Sequence, residues 1–344
     1  MNKNNFDFLR FIFAFMVILA HISVLTQTLN TIPILEHIDS YIPVCGFFII
    51  SGFLITKSYD KSKSLGDYIK KRANRLLPAY IFIILFTAFF LVFISSLSFN
   101  SYFTDNEFYK YLASNLIFLN FLHPCLPGVF TKNIMCAVNG SLWTIKVEVC
   151  FYIIVPFLVL LTRKVKHRLL LLVILYGLVL VHNFFLAKYL APKNFSLYFT
   201  LSHQLPALMT YFISGMILHF YFNFILKYKG ILAAVALPIF IFEYLHHYQY
   251  FLPIALSLLI FYFSYSANFK FLNHFGKYGD YSYGIYIFHF PIIQLFVFLG
   301  LFNFNHNKWL SFSLLISLII LTAIFSWNYI EKRFLKSRVK LEKS

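Results

Sequence analysis

The amino-acid sequence predicts an all-α fold: a polytopic integral-membrane helical bundle of about ten transmembrane helices with N- and C-termini in the cytoplasm. Three observations predict it. Of 344 residues, 60% are hydrophobic and only 12% charged, with a mean hydropathy of +0.75, well away from the balance of soluble domains. Apolar runs of about 17 to 25 residues, enough to cross roughly 30 Å of hydrocarbon as helices, recur along nearly the whole chain. Lys and Arg gather between those runs rather than within them.

In chain order, apolar stretches between charged or turn-forming breaks fall at 7–29, 40–57, 78–98, 142–162, 169–187, 203–222, 231–246, 250–268, 281–301 and 309–330. A further stretch, 108–122, is shorter, carries Asn115 and Asn120, and precedes a loop rich in Pro and Gly; it is expected to be interfacial or re-entrant. With ten spans and a cytoplasmic N-terminus, 23 of the 29 Lys and Arg fall inside, five (Lys110, Lys132, Lys188, Lys193, Lys308) outside, and Lys146 within a span. Counting 108–122 as a span would put the later basic clusters outside, against the positive-inside rule. These spans leave room for one membrane domain, residues 1–335, and a short basic tail, 336–344.

The formal charge of +17 implies a nucleic-acid partner only when it coats a folded soluble face. Here the cations flank apolar spans, so membrane lipids are the expected partners and nucleic acid is not. No small-residue cleavage motif follows the first apolar run, which is expected to stay as a helix. The four cysteines form no CxxC pair, so no metal site is expected. Cys125 and Cys136 share the long external connection 99–141 and are either bridged or two unrelated thiols. No fixed-period repeat supports a transporter of inverted repeats, and nothing signals an oligomeric state.

Ionisable groups inside spans are expensive and therefore point to function. Arg10 and His21 are eleven residues apart, about three turns plus 20°, so they share a helix face about 16 Å apart along the axis. Either residue also has a bland reading, a snorkelling anchor for Arg10 and a packing histidine for His21. Glu148 lies about two turns into the fourth span at a depth similar to His21, so its carboxylate either meets the imidazole or makes a structural hydrogen bond. Arg72 and Arg75, at i and i+3, offer two guanidinium forks suited to phosphate oxygens, or simply to lipid headgroups. His289 lies within the ninth span near Pro291 and either lines a substrate path or packs against a helix.

These segments together resemble the integral-membrane acyltransferase 3 family. The resemblance is carried by Arg10 and His21, by Phe47–Thr56 (FFIISGFLIT), by Arg72 and Arg75, by Ser141–Pro156 (SLWTIKVEVCFYIIVP), and by Tyr281–Pro291 (YSYGIYIFHFP), in family order. It implies an enzyme, an O-acyltransferase of the bacterial inner membrane that moves an acyl group, acetyl first among them, from cytoplasmic acyl-CoA to a hydroxyl. The acceptor it implies is a surface or lipid-linked glycan, as in lipopolysaccharide or capsule modification.

On this reading Arg72, Arg75 and Arg10 hold the donor's phosphates while the pantetheine arm reaches toward His21. His21 is the expected general base, with Glu148 orienting the imidazole and stabilising the imidazolium; an acyl-histidine intermediate is the variant. Ser51, Trp143, Tyr283 and His289 are expected along the substrate path. The competing readings are a proton-coupled transporter or flippase of a lipid-linked or acylated substrate, and a non-catalytic subunit of an export complex.

Overall fold

The computed structural model of the chain describes residues 4–26, 39–302 and 307–335. Among these the regular structure is all helical, with no strand and a single isolated bridge between Cys125 and Ala137. In chain order the helices are α1 (Phe6–Thr26), α2 (Tyr41–Asp60), α3 (Leu65–Phe90), α4 (Phe99–Thr104), α5 (Asn106–Leu116), α6 (Trp143–Lys164) and α7 (Arg168–Phe185). They continue with α8 (Phe195–Ser202), α9 (Leu205–Phe220), α10 (Phe222–Leu245), α11 (Leu252–Tyr265), α12 (Ser282–Phe298) and α13 (Lys308–Phe325). A π-helical turn, Ser326–Glu331, prolongs α13.

Seven of the described helices are long and apolar enough to cross a membrane: α1, α2, α3, α6, α7, α10 and α13, some with short extensions. The other three expected spans fall on shorter helices: α9 with 16 residues, α11 with 14 and α12 with 17. An 83° bend separates α11 from the segment Phe269–Lys277, and the two together pass as an eighth candidate span. The stretch 108–122 is not a span: α5 has 11 residues, too short for the hydrocarbon layer. The expected tail 336–344 and the last residues of the first expected span, 27–29, lie outside the described residues.

The chain divides into two compact units. The first comprises Met1–Arg10, Tyr41–Ile69 and Val147–Lys277. Here α2 and α9 meet backbone to backbone, because a Cβ on Gly52 would strike the Phe212 carbonyl and one on Gly215 the Ile49 carbonyl. Phe151 of α6 stacks on Phe212 at 4.0 Å. Pro156 has no N–H to offer the carbonyl of Tyr152 one turn back, and the Tyr68 hydroxyl donates to that carbonyl instead at 3.0 Å. Glu243, 4% exposed, accepts from the backbone N–H groups of Phe251 and Leu252 at 2.9 Å each, satisfying donors that the start of α11 leaves open. Asp60 accepts from Arg163 at 2.6 Å and pairs with His219 at 2.7 Å. Glu243 and His219, given no role from sequence, thus have structural ones.

The second unit comprises Phe11–Ser40, Lys70–Lys146 and Tyr278–Ser344. A disulfide joins Cys125 and Cys136, with Cα atoms 5.3 Å apart, deciding between the two readings of those thiols. The bridged loop is bolted to α12 by Gln294, which is fully buried. Its Nε2 donates to the carbonyls of Met135 and Ala137 at 2.8 Å each, and its Oε1 accepts from Asn133 at 2.9 Å. Tyr80, buried in α3, donates to the Asn115 carbonyl at 2.8 Å and so fastens α5. Gly284 of α12 lies against Ala323 of α13.

Candidate active site

The face predicted for α1 exists, because α1 runs without interruption from Phe6 to Thr26 and carries both Arg10 and His21. Arg10 is ion-paired with Asp7 one turn earlier, an i,i+3 neighbour on the same face.

His21 is half-buried. Its Nδ1 lies 2.7 Å from Nε2 of His289, and the Phe290 ring meets it edge-on at 5.2 Å. His289 is fully buried, with its Nδ1 3.2 Å from the Ile285 carbonyl. The group that meets His21 within its unit is His289, expected to line a path or to pack against a helix. Glu148 belongs to the first unit and accepts from the Tyr152 hydroxyl at 2.6 Å. That contact is local: Tyr152 sits at i+4 on the same helix, within reach of the carboxylate without any help from another element.

The backbone around His289 is held from outside α12. Pro291 donates no N–H, which leaves the Ile287 carbonyl open; Asn139 Nδ2 donates to it at 2.8 Å. Ser141 donates to Asn139 Oδ1 at 2.7 Å, and the Thr144 hydroxyl lies 2.8 Å from that of Tyr286. The segment Asn139–Thr144 is thus a clamp on the one turn of α12 that carries His289. Trp143, half-buried, starts α6 beside these residues.

Arg72 and Arg75 both lie on α3, half-buried. Arg75 is more committed than expected. It forms ion pairs with Asp280 and, at 3.0 Å, with Glu331, and its guanidinium lies 5.5 Å from the Tyr283 ring centroid and 5.9 Å from that of Trp327. Glu331 is 1% exposed and also accepts from Ser326 at 2.9 Å. Two carboxylates balance Arg75, which ties α3 to the start of α12 and the end of α13, whereas the sequence reading gave both arginines to phosphate. Tyr283, expected along the path, donates to the Leu76 carbonyl at 2.9 Å. Ser51 sits on α2 in the first unit.

Sequence reasoning missed Asp280, Glu331, Asn139 and Gln294. Glu331 had a usable signal: it is an acidic residue at the end of an apolar run, subject to the rule that singled out Glu148. Asn139 had a weaker one, since a helix containing Pro291 needs an outside donor for the freed carbonyl. Gln294 and Asp280 had none, because their partners are far away in sequence. Among the described residues no group of three or more His, Cys, Asp or Glu stands together as a metal site.

Among the described residues, seven apolar helices of membrane-crossing length define a multi-pass membrane protein. The chain belongs to the acyltransferase 3 family, whose model, an acyltransferase domain, matches residues 3–330; it is an acyltransferase. It is 28% identical over 345 residues to an O-acetyl transferase of Shigella phage Sf6, covering 97% of each chain. It is also 29% identical over 177 residues to nodulation protein 10 of Rhizobium leguminosarum bv. viciae, covering 48% of this chain and 47% of that protein. No solved structure matches it.

Proposed function

We propose that the protein is an O-acyltransferase of the bacterial inner membrane that moves an acyl group, acetyl first among them, from acyl-CoA at the cytoplasmic face to a hydroxyl of a surface or lipid-linked glycan. The observation that carries the proposal is the imidazole of His21, half-buried, hydrogen-bonded at one nitrogen, and set on a helix whose same face bears Arg10. The similarity to an O-acetyl transferase, 28% identity along almost the whole of both chains, supports the acyl group and the oxygen acceptor. The distribution of Lys and Arg supports ten spans with both termini in the cytoplasm.

In this reading Arg72 and Arg10 contact the anionic end of the donor, and Arg75 holds the ends of α12 and α13 in place around it. The pantetheine arm is comparable in length to the separation of Arg10 and His21, about 16 Å. His21 Nε2 takes the proton of the acceptor hydroxyl as its oxygen attacks the thioester carbonyl. A C–O bond forms, the C–S bond breaks, and the departing thiolate leaves as CoA-SH with the proton that His21 returns.

The test is CoA release from acetyl-CoA by the purified full-length protein, with and without candidate glycans, alongside its His21→Ala variant. Glycan-dependent release that falls by roughly 10²-fold or more in the variant is expected for loss of a general base. Full activity in an inserted His21→Ala protein overturns the reading.

A further inference from the structure

We infer that His289 is a positioning residue for His21 that decides which of its nitrogens is free to take a proton; the inference rests on the reading of His21 as general base. The Ile285 carbonyl can only accept, so the His289 Nδ1 that lies 3.2 Å from it carries the hydrogen. With one proton on each ring, His289 Nε2 then offers a lone pair, and His21 Nδ1, 2.7 Å away, donates to it. His21 is left with its lone pair on Nε2.

The geometry fits a true N–H···N bond. The two ring centroids are 5.0 Å apart with planes only 19° from parallel, while the nitrogens approach to 2.7 Å. Rings satisfy all three values when they lie edge to edge, where an in-plane N–H points at an in-plane lone pair. In a hydrolase triad a carboxylate holds the imidazole in its tautomer. Here a neutral ring does so, anchored on its far side by a main-chain carbonyl. When the acceptor's proton reaches His21 Nε2, the Nδ1–H bond to His289 becomes charge-assisted and strengthens.

The anchor is itself fixed. Asn139 holds the Ile287 carbonyl, Ser141 reaches the Tyr286 carbonyl at 3.3 Å, and Thr144 pairs with the Tyr286 hydroxyl. All three bonds fall on the turn that carries His289. A histidine kept only for packing would need no such alignment of its two nitrogens.

Nitrogen-15 NMR of histidine-labelled full-length protein in lipid bilayers, with His21 assigned by difference against His21→Asn, reads the tautomer directly. Protonated Nδ1 and unprotonated Nε2 on His21 are expected; the opposite tautomer overturns the inference. In kinetics, His289→Gln keeps an acceptor oxygen and should stay within about tenfold of the normal kcat. His289→Leu removes it and should lower kcat roughly 10²-fold or more, with the KM for acetyl-CoA unchanged. An inserted His289→Leu protein with normal kcat overturns the inference while leaving His21→Ala to judge the reading beneath it. If His289→Leu does not fold, loss of kcat beyond tenfold in a folded His289→Gln protein overturns it equally, as does the wrong tautomer.

Discussion

Two arginines three residues apart on α3 carry their charge in different surroundings. Arg72 and Arg75 look alike in sequence, yet Arg75 is engaged by Asp280 and by a Glu331 that is 1% exposed. Removing one partner of such a network leaves the other charge shielded and alone. Arg75→Gln is therefore expected to lower stability by about 2–3 kcal/mol, less than a fully buried pair because Arg75 keeps some exposure. Thermal melting of the detergent-purified protein measures it, and Glu331→Gln added to Arg75→Gln should restore part of the loss. Arg72→Gln, in contrast, should raise the KM for acyl-CoA more than Arg75→Gln does. Equal effects of the two substitutions on both quantities would count against the division of labour. For Glu148, depth along the helix was legible in the sequence, and the structure adds a local partner, the Tyr152 hydroxyl at i+4.

At the scale of elements, prolines inside helices create needs that other elements meet. Pro291 frees the Ile287 carbonyl, and Asn139 serves it; Pro156 frees that of Tyr152, and Tyr68 serves it. Asn139→Ala should cost about 1–3 kcal/mol, the penalty of an unsatisfied buried carbonyl. In a Pro291→Ala background the helix supplies its own N–H, so most of that cost should vanish. A double-mutant cycle on melting midpoints measures the coupling, and simple additivity would show that the pairing contributes nothing. The contact between α2 and α9 makes a second prediction. Gly52→Ala puts a methyl group against the Phe212 carbonyl and should destabilise by about 1–3 kcal/mol, read as loss of folded protein in size-exclusion chromatography. Neither contact was visible in hydropathy, which reports how long an apolar helix is and says nothing of its neighbours.

For the molecule as a whole, membrane topology and the disulfide-bridged loop set the behaviour to be measured. The ten-span reading places Lys132 and Lys193 outside and Lys166 and Lys229 in the cytoplasm. Single cysteines at these positions, in a protein lacking its own reactive thiols, should be labelled by a membrane-impermeant maleimide in spheroplasts at the first two sites only. Labelling of Lys229→Cys without permeabilisation would break the assigned orientation. The Cys125–Cys136 disulfide closes a loop of separation 11 bolted to α12 through Gln294. Its reduction should lower stability by about 2–3 kcal/mol, seen as a lower melting midpoint in dithiothreitol that a Cys125→Ser, Cys136→Ser protein reproduces without the reductant.

The sequence by itself determined that this chain is helical and apolar enough to live in a bilayer, placed Arg10 and His21 on one helix face, and carried the motifs of its family. Those properties are local: run length, the period of the α-helix and residue order along the chain set them. Only the tertiary structure decided that His21 meets His289, that Arg75 is balanced by Asp280 and Glu331, and that Asn139 covers the carbonyl freed by Pro291. Each of these joins residues far apart in sequence, and a hydrogen bond acts over about 3 Å, a distance that is set by helix packing and not by spacing along the chain.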